Sequence, residues 1–187
     1  MNRFRKILAI IVLTALGLVL LGCAQSTEGG FFAALDRPCV MKIGGVRNGV
    51  AFEAEMTLGA REANGGRGGV MKFTAPSAMA GIEVKTEGGV WGVSLDGVKF
   101  SGLPAELLGV PLGIFTEKLE VVKAERLDGE EKRTLMIAQT ALGSAEFLID
   151  SKSGAPVSVI EKDGSGNVVM EFEIIEYNVS ETESKGE

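Results

Sequence analysis

Between residues 39 and 177 apolar and polar positions alternate more often than not. Val50, Phe52, Ala54, Met56 and Leu58 share one face of an extended segment, and Glu53, Glu55 and Thr57 share the other. A period of two is the signature of a strand with one dry and one wet face. Asn48-Gly49 stands just before this run, and both residues tolerate positive φ, so the pair predicts a tight hairpin with residues 40–47 as the partner strand. Further short strands are predicted at 70–75, 81–86, 90–95 and 98–101, punctuated by Gly88-Gly89 and Asp96-Gly97. A second set is predicted at 121–127, 133–141, 145–150, 155–161 and 167–177, with turns at 128–131, 151–154 and 163–166. In its last strand Val168, Met170, Phe172 and Ile174 face one way, and Glu171 and Glu173 the other. Strands of this kind form antiparallel sheets covered on one face only.

The alternation breaks between Leu103 and Val122. Leu108, Leu112, Phe115, Leu119 and Val122 are spaced 4, 3, 4 and 3 apart, which predicts one helical face. Pro104 suits the first turn of one short helix and Gly109 its end, while Pro111 opens a second. Short helices therefore divide the strands into two sets. Phe31 to Leu35 would form another helical turn, docked on the domain.

The N-terminus follows a different plan. Arg3, Arg5 and Lys6 precede 15 uncharged, mostly apolar residues from Ile7 to Leu21. This is the layout of a secretory signal, and it is shorter than the roughly 20 residues a spanning helix needs. Leu20-Leu21-Gly22-Cys23 resembles the lipobox of bacterial lipoproteins. That resemblance implies cleavage before Cys23 and a diacylglycerol thioether on its sulfur. It places the protein on the extracytoplasmic face of a cell membrane, anchored by lipid. The expected organisation is a signal peptide at 1–22, an anchor and tether at 23–30, a folded domain at 31–178 and a polar tail at 179–187.

Composition sharpens this picture. Of the 187 residues, 45% are hydrophobic, enough for a sizeable core. With no histidine, Ser-His-Asp and Cys-His machinery and His-held metals are excluded. Cleavage removes 22 of 187 residues and three cations, leaving 165 residues with 16 Lys+Arg against 25 Asp+Glu, a net charge of −9. A domain so acidic is a poor partner for nucleic acid and is repelled by anionic headgroups, so the lipid is the expected membrane contact.

Little in the chain reads as catalytic. Cys39 is left without a second cysteine in the mature chain and reads as a small apolar residue early in a strand. Gly65-Gly66 and Gly68-Gly69 lie between Arg61 and Arg67, but no GK[ST] ending follows, so a hairpin loop is expected rather than a phosphate cradle. Glu53 with Glu55, and Glu171 with Glu173, read as the solvated face of strands. Asp163 to Asn167 lacks the spaced acidic ligands of a calcium loop and reads as a turn. No catalytic residue, metal or cofactor is assigned.

The apolar side is more informative. Methionine adapts to irregular apolar surfaces. Phe52, Met56, Met71, Phe73, Trp91, Leu112, Phe115, Met136, Phe147, Met170 and Phe172 are the candidate lining of a cavity for an acyl chain. A closed core without a cavity is the alternative.

Motifs along the strands carry a second resemblance. The lipobox is followed by antiparallel strands, then Phe73-Thr74-Ala75-Pro76 with Gly81 entering the next strand. After the helical insertion come Phe147-Leu148-Ile149-Asp150 and Gly154-Ala155-Pro156. Over about residues 31–177 this resembles the superfamily of Lol-type lipoprotein carriers (LolA/LolB-like), which includes mycobacterial lipid-binding and clostridial germination lipoproteins. The resemblance implies a mainly β, α+β fold: a curved antiparallel sheet forming an unclosed barrel with short helices across its mouth. It also implies a non-enzymatic protein that binds a lipid or acylated ligand, or alternatively an envelope or sporulation and germination protein that docks a protein partner through its sheet.

Overall fold

A computed structural model describes residues 36–62, 66–104 and 108–180. Cys23, the Phe31–Leu35 turn, most of the Pro104–Gly109 helix and the charged tail from 181 onward lie outside the described residues.

Eleven strands form one antiparallel sheet: β1 (Cys39–Arg47), β2 (Val50–Leu58), β3 (Gly69–Ala75), β4 (Glu83–Glu87), β5 (Val90–Leu95), β6 (Val98–Leu103), β7 (Glu120–Leu127), β8 (Arg133–Gln139), β9 (Gly143–Asp150), β10 (Pro156–Asp163) and β11 (Val168–Val179). Each expected strand is present, with ends displaced by at most two residues. The sheet order is β6-β5-β4-β3-β2-β1-β11-β10-β9-β8-β7. Two meanders are therefore joined through the first and last strands, and β6 and β7 remain as unpaired edges.

Asn48 and Gly49 adopt positive φ (48° and 80°) in the β1–β2 turn, as their chemistry predicts. The resulting register places Met41 opposite Met56 and Ile43 opposite Ala54, all on the dry face. Val50, counted with that face by its spacing, is exposed at the mouth of the hairpin.

A short helix, α1 (Pro111–Thr116), crosses the apolar face. Its contacts show that the sheet is curved. The Phe115 ring packs 6.1 Å from that of Phe147 on β9 and 6.2 Å from that of Phe172 on β11. A Cβ at Gly113 would touch the Trp91 ring of β5 at 3.9 Å. β5 and β9 are seven steps apart in the sheet. In a flat sheet that separation is about 34 Å, whereas six helical residues span only about 9 Å. One helix reaches both because the sheet wraps around it. The fold is the unclosed half-barrel expected from the sequence.

The helix is shorter than the spacing predicted. Leu119 is buried, but Val122 belongs to β7 and is 67% exposed. The Leu108–Val122 periodicity therefore describes a helix only as far as Thr116. Tertiary donors end it there: the Arg67 backbone N–H donates to Thr116 O at 3.2 Å, and Arg67 Nε to Phe115 O at 3.0 Å. Glu117 is already extended at φ −83°, ψ 160°.

Among the described residues, every strand and every buried apolar side chain lies between Cys39 and Val179. The central seam of the sheet is tight. A Cβ on Gly45 would collide with Glu171 O and stand 2.5 Å from Phe172 Cβ. Gly45→Ala should therefore cost about 1–3 kcal/mol in urea unfolding. Gly164→Ala, in an exposed turn where a Cβ meets nothing within 4 Å, should stay within about 0.5 kcal/mol of the native chain.

Candidate functional site

The concave face gathers all eleven of the candidate apolar residues. Phe52, Met56, Met71, Phe73, Trp91, Leu112, Phe115, Met136, Phe147, Met170 and Phe172 are each buried within one cluster. Five rings form a continuous chain across the half-barrel. Phe73 meets Phe52 at 6.1 Å, Phe52 meets Phe172 at 6.5 Å, and Phe115 links Phe172 to Phe147. These spacings suit tilted aromatic pairs. Eight of the eleven fill the interior between sheet and helix. Phe52, Phe73 and Trp91 instead border open clefts at its margin.

Three arginines hold the crossing segment from the sheet side. Arg47, at the end of β1, donates Nη1 to Leu108 O at 3.1 Å. Arg61 donates Nη1 to Glu117 O at 3.3 Å and pairs through Nε with Asp36 at 2.8 Å. Arg67 is buried and, besides Phe115 O, reaches Gly59 O at 3.4 Å. The last carbonyls of a helix have no partners of their own, so charged donors here are well placed. Each such bond contributes about 1.5–3 kcal/mol. The Gly-rich β2–β3 connection thus brings Arg61 and Arg67 to α1, where both bind protein carbonyls.

Three clefts flank α1. The apolar one, about 270 Å³, is walled by Val50, Phe52, Phe73, Met79, Val110 and Pro111, and Arg47 and Asn48 complete its lining. A polar cleft of about 390 Å³ lies at the other end of the helix, among Glu62, Arg67, Thr86, Trp91, Glu117 and Lys118. A narrow recess of about 40 Å³ separates Trp91 and Ile114 from Leu142 and Glu161.

Glu161 is a carboxylate only 4% exposed. Burial pushes its carboxyl up; the Thr140 hydroxyl and Arg47 oppose this, and Glu117 adds to it. Cys39 is buried at the start of β1, and burial raises its thiol despite the neighbouring Arg67 and Tyr177. The Tyr177 hydroxyl is itself pushed up to about 12, by burial and then by Cys39. A thiol held protonated in this way is unreactive. Glu53, Glu55, Glu171 and Glu173 are exposed on the convex face. Asp163 accepts the Ser165 and Asn167 backbone N–H groups at 2.9 Å each, a local turn. Among the described residues no three Cys, Asp or Glu side chains come together as metal ligands.

Sequence reasoning missed Arg47, Met79, Val110 and Pro111 as cleft residues, and Glu161 as a buried acid. Met79 carried a signal in its flexible side chain, which adapts to irregular apolar surfaces, and Pro111 in the helix start. Nothing local marks Arg47 or Glu161, whose settings are made by contacts across the chain.

No family model matches the chain, and no curated protein matches its sequence. Solved structures share its shape. An uncharacterized conserved protein from Thermus thermophilus aligns with TM-score 0.58 at 14% identity, over 86% of this chain and 89% of that one. MucB aligns with TM-score 0.50 at 14% identity, over 87% of this chain and 62% of its own, so this chain spans less than two thirds of MucB. The LolA superfamily protein NE2245 from Nitrosomonas europaea aligns with TM-score 0.47 at 9% identity, over 83% of this chain and 94% of that one. At such identities the likeness is one of fold alone, shared with the Thermus thermophilus protein and MucB.

The raised Glu161 carboxyl gives a testable pH signature. An acid raised in the folded state has its stabilising contribution intact below its unfolded value of 4.5 and loses it as pH rises through the folded value. Glu161→Gln removes that charge and keeps the shape. The melting temperature of Glu161→Gln relative to the native chain should therefore be higher at pH 8 than at pH 4. The shifts at Asp150 and Asp163 are common to both chains and cancel in the difference.

Proposed function

We propose that this protein is a membrane-anchored lipoprotein, tethered through a lipid on Cys23 at the extracytoplasmic face, that binds a lipid or acylated ligand at the mouth of its half-barrel. The observation that carries the reading is the apolar cleft of about 270 Å³ beside α1. Its walls are almost wholly hydrocarbon and aromatic, and its volume is near the lower end of about 300 Å³ for small-molecule sites. The deeper concave face is filled by the ring chain, so the ligand portion that enters is one chain rather than a whole bilayer lipid. The sequence resemblance to Lol-type carriers supports the same role, as a binder rather than an enzyme.

The edge of the sheet favours a second reading, a protein that docks an envelope partner. β6 is an unpaired edge with Phe100 61% and Val98 57% exposed. Open edges are templates for an added strand.

One experiment separates the two. The chain from Ala24 onward, which contains every described strand, is purified without detergent, checked for folding by circular dichroism, delipidated and titrated with a fluorescent fatty acid. Ligand binding predicts saturable uptake near one per chain, with Phe73→Glu lowering affinity at least tenfold and Phe100→Lys leaving it unchanged. Absence of uptake by the well-folded native chain would remove the ligand reading and leave the docking one.

A further inference from the structure

The lining of the apolar cleft is chemically asymmetric. Six of its eight lining residues are apolar, one is the amide Asn48, and the remaining one is the cation Arg47. Arg47 ends β1, opposite Val50 across the Asn48-Gly49 turn, and is partly buried.

Two features fix its guanidinium in place. Nη1 donates to Leu108 O at 3.1 Å. Gly109, at φ +46°, brings bare backbone against Nη2, in space that a side chain at 109 would occupy. A guanidinium has five N–H donors in a planar fork, and the Leu108 bond employs one. The fork matches carboxylate and phosphate oxygens in pairs.

Resting on the ligand reading above, we propose that the cleft selects a single-chain amphiphile with an anionic head, carboxylate or phosphate, and that Arg47 is the head-group contact. The chain lies along Phe52, Phe73 and Met79, and the head meets Arg47 and Asn48 at the opening. Glu161 feels Arg47 from inside the recess, where burial pushes its carboxyl up, with Glu117 adding to this and Thr140 and Arg47 opposing it. The acidity of the chain as a whole opposes an anion only at long range. Over a screening length of about 8 Å at physiological salt, the local cation dominates.

The test is isothermal titration of the chain from Ala24 onward with four twelve-carbon probes below their micelle concentrations: dodecanoate, dodecyl phosphate, dodecyltrimethylammonium and a neutral dodecyl glycol ether. The two anions should bind at least tenfold tighter than the other two. Arg47→Gln should bring all four within about threefold of one another, while Arg47→Lys keeps part of the preference. Circular dichroism checks that both variants fold, and Met79 methyl NMR shifts place each probe in the cleft. A preference for only one anion supports the proposal and identifies the head. Equal binding of all four probes to the native chain, or an anion preference that survives in Arg47→Gln, overturns this inference and leaves the ligand reading intact. Binding of none overturns both.

Discussion

The pairing of the first strand with the last is the constraint on which the rest depends. β1 meets β11 along nearly its whole length, from Cys39 opposite Val179 to Arg47 opposite Met170, with a single bulge between Lys42 and Ile43. Without this ladder there are two separate meanders, each with an unburied apolar face. With it there is one sheet wide enough to curl around α1 and bury both sets of side chains together. Fully burying a large apolar side chain contributes about 1.5–3 kcal/mol. The helix collects that gain from both halves at once, Phe115 packing on Phe172 and Phe147 of the second meander while Gly113 faces the Trp91 ring of the first. The seam is also a long-range contact, so loop closure must precede its reward. The seam fits closely at Gly45, where a Cβ would collide with Glu171 O.

Curvature then determines where a ligand can go. A half-barrel of this width has a concave face larger than one six-residue helix can cover. The ring chain from Phe73 to Phe147 fills the middle, and what remains open lies along the helix flanks. Arginine-to-carbonyl bonds at Leu108, Phe115 and Glu117 keep the crossing segment at a fixed height above the sheet. The clefts are therefore bounded by polar clamps, and the same residue, Arg47, both secures the segment and charges the lining of the apolar cleft. A site of this kind offers shape and charge. Glu161, a deeply buried carboxylate, is disfavoured in its charged form, and the buried thiol of Cys39 stays protonated.

Much of the fold was legible in the sequence because the information is local. Asn48-Gly49 demands positive φ wherever it occurs, and Phe52, Ala54, Met56 and Leu58 alternate with charged residues on a fixed two-residue period. Such signals give strands, turns and the inward face without reference to the rest of the chain. The eleven apolar residues gathered on the concave face were identified the same way. The helix is where tertiary contacts override local spacing. Leu119 and Val122 continue the spacing of Leu112 and Phe115, yet the Arg67 loop takes the carbonyls of Phe115 and Thr116, and the chain turns into β7.

By itself, then, the sequence determined the antiparallel, one-sided character of the strands, the division into two sets and the inward faces of β2 and β11. These follow from side-chain chemistry and backbone preference one residue at a time. Only the tertiary structure decided that the two sets join through β1 and β11, that the sheet closes halfway around α1, and which apolar residues stay open to a ligand. Phe52 and Met56 have the same character and lie on the same face of β2, but Met56 is covered and Phe52 borders a cleft. That difference is made by the position of α1, and α1 is placed by Arg47, Arg61 and Arg67, which are 8 to 61 residues distant in sequence from the carbonyls they bind.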